Sequence, residues 1–242
     1  MTPADVDAAA QVYIDTDDGL ADRCIVDGSD GHHLARVRRL RVGERVTAAD
    51  GAGSWRVYDV VDVGRARITI EARGAVECEV APAVGVALAV ALTKGGIDGV
   101  VSACTELGVA RVTPVRTARG VARWDPSKAE AAVEKLRIAA REAGMQSRRA
   151  RLTQIDALTD LADISARPDL VVADRAGVPV GDLPRPTTAE WTVLVGPEGG
   201  LAPEELSALG PAPRLCLGWH VLRAATAPIA AVALLTAAVA NG

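Results

Sequence analysis

The spacing of apolar and polar residues changes character once along this chain. Up to about Arg73 the apolar residues form short alternating runs: RVGERVTAAD, then SWRVYDVVDVG with Trp55 and Val57, then ARITIEARG with Ile68 and Ile70. A period of two marks a half-buried strand, and the glycine turn at Gly51 and Gly53 reads as a strand connection. Upstream, Arg23-Cys24-Ile25-Val26 leads to Ser29 or Asp30, either of which can cap a short helix. Leu34, Val37 and Leu40, three residues apart, give that helix an apolar side; His33, Arg36, Arg38 and Arg39 occupy the other. Residues 1–73 thus predict a small β-barrel carrying one basic helix, with 74–83 (GAVECEVAPA) as a linker.

From Val84 onward, continuous apolar runs alternate with helical periods. VGVALAVALT, ARVTPVRT, DLVVAD, WTVLVG and RLCLG read as strands. Helices are predicted at about 98–107, from 126 to about 146, near 155–161, from Pro203, and from about Ala224 to the end. The long one places Ala132, Leu136, Ala139 and Ala143 on one stripe. Near-continuous apolar strands between helices imply a parallel sheet covered on both faces, over 84–242.

Composition narrows the chemistry. Apolar residues make up 49% of the chain, but Phe is absent, and there are four Trp and two Tyr. The core is therefore built from Val, Leu, Ile and Ala, and stacking on aromatic platforms is not expected as the main mode of any nucleic-acid contact. The net charge of −4 conceals arginine clusters at Arg36, Arg38, Arg39, Arg41 and Arg45, at 111–123 and at 137–151. These predict a polyanion-binding face on an acidic protein. Cys24, Cys78, Cys104 and Cys216 stand far apart with no CxxC, which argues against a zinc site or disulfide framework and for a reducing cytoplasm. The first residues lack a signal-peptide pattern. Residues 224–240 are short and Thr- and Pro-interrupted for a membrane span, and read as a buried or interface helix. No GxGxxG follows a strand and no Lys-Ser/Thr closes a phosphate loop, which disfavours a dehydrogenase and a nucleotide hydrolase.

The strongest local signal is WTVLVGPEGGLAPEEL, residues 191–206. A strand stops at Gly196-Pro197, Gly199-Gly200 follow Glu198, and Pro203-Glu204-Glu205 opens a helix. Such a loop lets a ligand approach the backbone at a strand end, although an ordinary strand-to-helix turn has the same grammar. Three further signals keep order with it: Lys94 with Thr105-Glu106-Leu107-Gly108, Gln146-Ser147-Arg148-Arg149, and Leu217-Gly218-Trp219-His220-Val221-Leu222-Arg223 followed by Ala224-Ala225-Thr226-Ala227.

Together with HHLARVRRLRVGERV in the first unit, this set resembles the RsmE family of ribosomal RNA methyltransferases, in the SPOUT class. The resemblance implies a PUA-like RNA-binding β-barrel followed by a trefoil-knotted α/β domain that binds S-adenosylmethionine, uses no metal and forms a homodimer. It further implies methylation of N3 of a specific uridine in 16S rRNA, free or in the assembled small ribosomal subunit. The chain departs from the family pattern at Met145, where Glu is common, and at Ala224-Ala225-Thr226-Ala227, where Thr-Glu-Thr-Ala or Thr-Ser-Thr-Ala is common.

Carried onto this sequence, the resemblance and the chemistry make Arg223 the group that stabilises a uracil anion, with Glu198 or Asp174 as base. Gly196, Pro197, Gly199, Gly200 and Gly218 would offer backbone to the cofactor, with Leu194, Leu217 and Leu222 as apolar walls. Arg36, Arg38, Arg39 and Arg41 would meet RNA phosphates. A catalytically silent RNA-binding or ribosome-assembly factor, and a ribose 2′-O-methyltransferase, are the rival readings.

Overall fold

The computed structural model of the chain describes residues 1–14, 19–120 and 124–240. It divides into two compact units: Met1–Ala81 with Arg141–Leu152, and Pro82–Ala140 with Thr153–Gly242.

The first unit holds strands β1 (Ala10–Tyr13), β2 (Arg23–Val26), β3 (Arg45–Ala49), β4 (Ser54–Val63), β5 (Ile68–Ala72) and β6 (Glu77–Cys78), with helix α1 (Gly28–His32) after β2. Its sheet runs β1-β3-β4-β5-β2, with β6 paired to β4; only the β1–β3 pairing is parallel. Val12, Val46, Tyr58, Val60, Ile68 and Ile70 fill its core beside Leu34 and Leu40. Trp55 and Val57 instead share a smaller cluster with Tyr13 and Ala150.

Three expectations need correction here. The basic helix is one turn of α-helix that widens into a π turn at His33–Val37, where the Arg38 N–H donates to the His33 carbonyl at 2.9 Å. The extra residue in that turn moves Val37 off the apolar side: it is 62% exposed, while Leu34 and Leu40 stay buried. Only glycine fits at Gly31, where a Cβ would stand 2.5 Å from the Val26 carbonyl oxygen. Second, part of the expected linker is sheet, since β6 pairs Ser54 with Cys78.

Third, the arginines of 141–151 are largely committed to folding. Arg141 pairs with Asp30 at 3.1 Å and donates to the Tyr13 carbonyl at 2.8 Å. Arg148 donates to the carbonyls of Val6, at 2.7 Å, and Ala8. Arg151 donates to Ala52 O at 2.5 Å and Glu79 O at 3.1 Å. Gln11 and the Tyr13 hydroxyl both donate to the Arg149 carbonyl, at 2.6 and 2.8 Å. Burial pushes the Tyr13 phenol up to about 12, so it stays a neutral donor.

The second unit is a seven-stranded sheet in which every pairing is parallel, in the order β10-β8-β7-β12-β11-β13 with β9 beside β8. Its elements are β7 (Gly85–Ala91), α2 (Asp98–Glu106), β8 (Arg111–Arg116), α3 (Pro126–Gln146), β9 (Gln154–Ile155), β10 (Thr159–Asp160), α4 (Leu161–Ser165), β11 (Leu170–Val178), β12 (Glu190–Val195), α5 (Pro203–Ala208), β13 (Arg214–Leu215) and α6 (Ala227–Ala240). Strand side chains alternate between two cores. Val86, Leu88, Val90, Val193 and Val195 pack with α2, with α6 and with Val133, Leu136 and Ala140 of α3. Ala89, Leu194, Leu170 and Val172 pack with Leu161 and Ile164 of α4 and with Leu201 and Leu209 flanking α5. Burial on both faces is why these strands read as unbroken apolar runs. The buried stripe of α3 is Val133, Leu136, Ala140 and Ala143, with Ala132 and Ala139 only half-buried.

Residues 155–161 are not the expected helical stretch; β9 and β10 hold the chain extended beside β8. Asp156 is the reason: its N–H donates to the Val112 carbonyl at 3.0 Å, and its carboxylate takes Thr113 at 2.6 Å and Arg111 at 2.8 Å. Burial works against the charge, but those bonds and Arg167 hold the carboxyl below its ordinary value. Arg111 and Arg116 are thus spent on Asp156 and Asp160 rather than on a basic face; Arg123 lies outside the described residues.

Candidate active site

Ligands of open parallel sheets bind beyond the carboxyl ends of the strands, where loops diverge. Here the ends of β11, β12 and β13 frame a cavity of about 390 Å³, a size suited to a small molecule. Each strand contributes one wall.

The β12 wall is the glycine loop. Gly196, Pro197, Glu198 and Gly200 line the cavity. Gly200 has φ +68° and its N–H closes the turn on the Pro197 carbonyl at 2.9 Å. A Cβ on Gly196 would stand 3.2 Å from Leu201 Cγ, so any side chain there pushes on the cavity lining. Two residues that sequence reasoning missed fix this loop. Glu205 accepts from the Ala202 N–H with one oxygen and from the Ala118 N–H with the other, both at 2.7 Å. Arg119 donates to the Gly199 carbonyl at 3.2 Å. Glu205 was visible as an acidic residue in the first turn after Pro203; the partnership with 118–119 has no local signal.

The β11 wall is a bulge. Pairing with β13 jumps from Ala173 to Val178, both opposite Leu215, and of the residues between, Asp174 and Arg175 line the cavity. Asp174 accepts from the Ala176 N–H at 2.9 Å and from Arg214 at 3.4 Å. Gly177 closes the bulge where a Cβ would stand 2.5 Å from the Arg214 carbonyl carbon and oxygen.

The third wall is the loop between β13 and α6. Leu217, Gly218, His220, Val221, Leu222 and Ala224 line the cavity, and Gly218 has φ +140°. Leu217 also packs against the sheet core, which anchors the loop. Arg223 sits between two lining residues and is itself exposed. Its carbonyl accepts from Thr226 and Ala227 at 2.8 and 2.9 Å, which delays α6 to Ala227. Among the described residues its guanidinium has no ion-pair partner, and neither does the carboxylate of Glu198.

Most of the residues anticipated for a ligand are therefore on one cavity, with two exceptions. Leu194 is fully buried on the α4–α5 side of the sheet, packed among Val172, Leu201 and Leu209, and is not part of this cavity's lining. Gly199 stands behind the turn with its carbonyl held by Arg119. Lys94 lies on an exposed turn outside the lining. Asp174 is ion-paired with Arg214, whereas Glu198 lines the cavity unpaired among the described residues. Among the described residues no group of three or more His, Cys, Asp or Glu side chains could hold a metal, and no helix is long and apolar enough to cross a membrane.

In the first unit, Arg36 donates to the Arg65 carbonyl at 3.1 Å and Arg38 to the Ala9 carbonyl at 2.9 Å. Arg39, at φ +55°, and Arg41 lie beyond the π turn with exposed side chains.

Comparison with known proteins gives two family matches. A family described as an RNA methyltransferase domain matches residues 81–236, and one described as an RNA methyltransferase PUA domain matches 26–72. The chain is similar to the ribosomal RNA small subunit methyltransferase E of Mycobacterium bovis and of Mycobacterium tuberculosis, each 33% identical over 235 residues, covering 92% of this chain and 88% of the relative. A methyltransferase from Legionella pneumophila, solved with S-adenosylmethionine bound, superposes with a TM-score of 0.85 at 24% identity, over 96% of this chain and 98% of that one. The ribosomal RNA small subunit methyltransferase E of Neisseria gonorrhoeae, also bound to S-adenosylmethionine, gives 0.80 at 22% identity, over 95% and 97%.

Proposed function

The chain belongs to the RsmE family of RNA methyltransferases with a PUA domain, and from that premise we propose that it methylates N3 of a specific uridine in 16S rRNA of the small ribosomal subunit, with S-adenosylmethionine as methyl donor. The observation that carries this reading is the single cavity that joins the glycine turn after β12 to the Leu217–Leu222 loop, with Arg223 at its rim. The cavity fits the donor: Val172, Leu201, Leu217, Val221 and Leu222 offer apolar surface for an adenine, while the backbone at Gly196, Gly200 and Gly218 is open to close approach. Asp174 and Glu198 supply acceptors for hydroxyl or ammonium groups.

When bound, S-adenosylmethionine supplies an electrophilic methyl group on a sulfonium. The residues must then solve one problem, which is that uracil N3 is a weak nucleophile while it carries its proton. Glu198 accepts that proton, and Arg223 hydrogen-bonds the uracil oxygen edge, where the negative charge gathers. The glycine turn and the Leu217–Leu222 loop would hold the donor beside the uracil, since such a transfer needs the two atoms close and in line. Held there, the donor would supply the methyl group that N3 takes, its sulfur keeping the electron pair of the bond that breaks. We further propose that the second unit carries the family's trefoil knot, which suits a chain that leaves the edge strand β13 and returns as α6 onto β7 and β12, and that the protein works in the cytoplasm.

Purified protein incubated with S-adenosylmethionine and 16S rRNA or small subunits tests the reaction. Nucleoside analysis should return 3-methyluridine. A ribose 2′-O-methyl product would make it the other kind of methyltransferase, and calorimetry without donor binding would make it a silent RNA-binding factor.

The PUA-like unit is proposed to hold the RNA backbone through Arg39 and Arg41, since Arg36 and Arg38 already serve carbonyls of the fold. Arg39→Asn with Arg41→Ala should reduce the slope of log affinity against log salt by about 0.7–0.9 per lost contact. Asn tolerates the left-handed backbone at position 39. Donor affinity should stay constant, and an unchanged slope would remove these arginines from the interface.

We also propose a homodimer. Helix α6 has no charged residue, and Ile229, Leu234 and Val239 are only half-buried after Ala231, Val232 and Leu235 have met the sheet. A second copy is the simplest cover for such a helix. Light scattering should give twice the chain mass, and Leu234→Arg should halve it. A monomer at micromolar concentration contradicts the proposal.

A further inference from the structure

Trp219 is 94% exposed, whereas Trp55 and Trp191 are buried at 0% and 3%. It stands between Gly218 and His220, both of which line the cavity, and Val221 beside it is 81% exposed. A large indole is rarely left in water when the fold has a core to receive it. This one is held out by a loop whose two ends, Leu217 and Leu222, are tied into the cavity wall. We propose that Trp219 is a stacking platform for an unpaired nucleobase of the RNA substrate, next to the base that enters the cavity. The inference rests on the methyltransferase reading above and names how that site grips its substrate.

The chemistry of the target explains why such a platform is useful. N3 is on the pairing edge of uracil, so a uridine methylated there must be unpaired when it reacts. Taking one base out of the stack leaves the faces of its neighbours open to water. An exposed indole beside the cavity mouth replaces the lost stacking partner. The charges around it fit RNA rather than a second copy of the chain. Arg223 follows four residues later with no ion-pair partner among the described residues, and the exposed Arg175 lines the adjoining wall, where Asp174 is already paired with Arg214 and Glu198 is the remaining carboxylate. Aromatic surface interleaved with cations is the pattern of single-strand nucleic-acid grooves. The surface suited to a second copy is α6, which carries no charge. The scarcity of aromatic residues in the sequence argued against stacking as the main mode of RNA contact; it does not argue against one platform at one position.

Stacking on an aromatic side chain is worth about 5- to 150-fold in affinity per base, and it releases no counterions. Trp219→Ala should therefore weaken binding of transcribed 16S rRNA by that factor without changing the salt slope, which separates it from the arginine variants. Trp219→Phe should recover most of the loss. At such exposure neither change threatens folding, and donor affinity by calorimetry and mass by light scattering should match the unaltered protein. Unchanged RNA affinity in Trp219→Ala, or no recovery with Phe, overturns the proposal. So does a fall in mass, which would place Trp219 against a second copy, or a fall in donor affinity, which would place it on the cofactor. If the unaltered protein binds and methylates RNA while Trp219→Ala does so equally, only this inference fails. If the unaltered protein does neither, the methyltransferase reading fails with it.

Discussion

Arg223→Ala is expected to lower the single-turnover methylation rate about 100- to 1,000-fold, equivalent to about 2.7–4 kcal/mol, with folding and donor affinity nearly unchanged. That is the usual cost of removing one preorganised donor from a developing negative charge. The structure supplies the preconditions. The residue is exposed at the cavity rim between lining residues Leu222 and Ala224, and its backbone is fixed by two hydrogen bonds from the start of α6. No carboxylate among the described residues pairs with its guanidinium, so the charge is not already spent within the fold. Arg223→Lys should restore part of the rate, because an ammonium keeps the charge but loses the planar pair of donors. A normal rate in the alanine variant removes Arg223 from the chemistry. A slow rate accompanied by a lower melting temperature assigns it to anchoring α6 instead.

Gly177→Ala should be the most damaging single methyl group near the site. The added carbon would stand 2.5 Å from the backbone of Arg214 and 2.7 Å from that of Leu215. Backbone cannot rotate out of the way as a flexible side chain can. Either β13 separates from β11 or the bulge carrying Asp174 and Arg175 opens, and both routes disturb two cavity walls. Overpacking of this kind costs about 1–3 kcal/mol, which for a chain of this size lowers the melting temperature by about 2–12 °C. Donor affinity should fall with it. Gly181→Ala is the matched control, because a Cβ there meets nothing within 4 Å. Equal melting temperatures for the two variants would mean that the β11–β13 contact is looser than the structure has it.

The elements of the second unit were legible because each parallel strand is buried on both faces and so is written as an unbroken apolar run, such as Val86 to Leu92. What escaped the sequence is what partners decide from a distance. Asp156 holds 154–160 extended through Arg111 and Thr113, which no local period reveals. Arg148 and Arg151 resemble a basic surface until the carbonyls of Val6, Ala8 and Ala52 claim them. The π turn at His33–Val37 shifts Val37 outward by adding one residue to a period that sequence reading holds constant. At the site, the glycine loop and the Leu217–Arg223 segment were visible as motifs, and the fold brings them to one cavity. With both faces of β12 apolar, the sequence does not say which of Leu194 and Val195 reaches the cavity; Val195 lines it, while Leu194 is covered by Leu201 and Leu209. The bulge at 174–177 and the clamp from Ala118 and Arg119 depend on strands and loops far apart in the chain.

The base that is modified in the cell decides the proposed reaction. Mass spectrometry of 16S rRNA, compared between cells that have this protein and cells that lack it, measures that directly. One 3-methyluridine should be present with the protein, absent without it, restored by the unaltered chain and not by Arg223→Ala. Identical modification in both cells, or loss of a ribose methyl group in place of the base methyl, would contradict it.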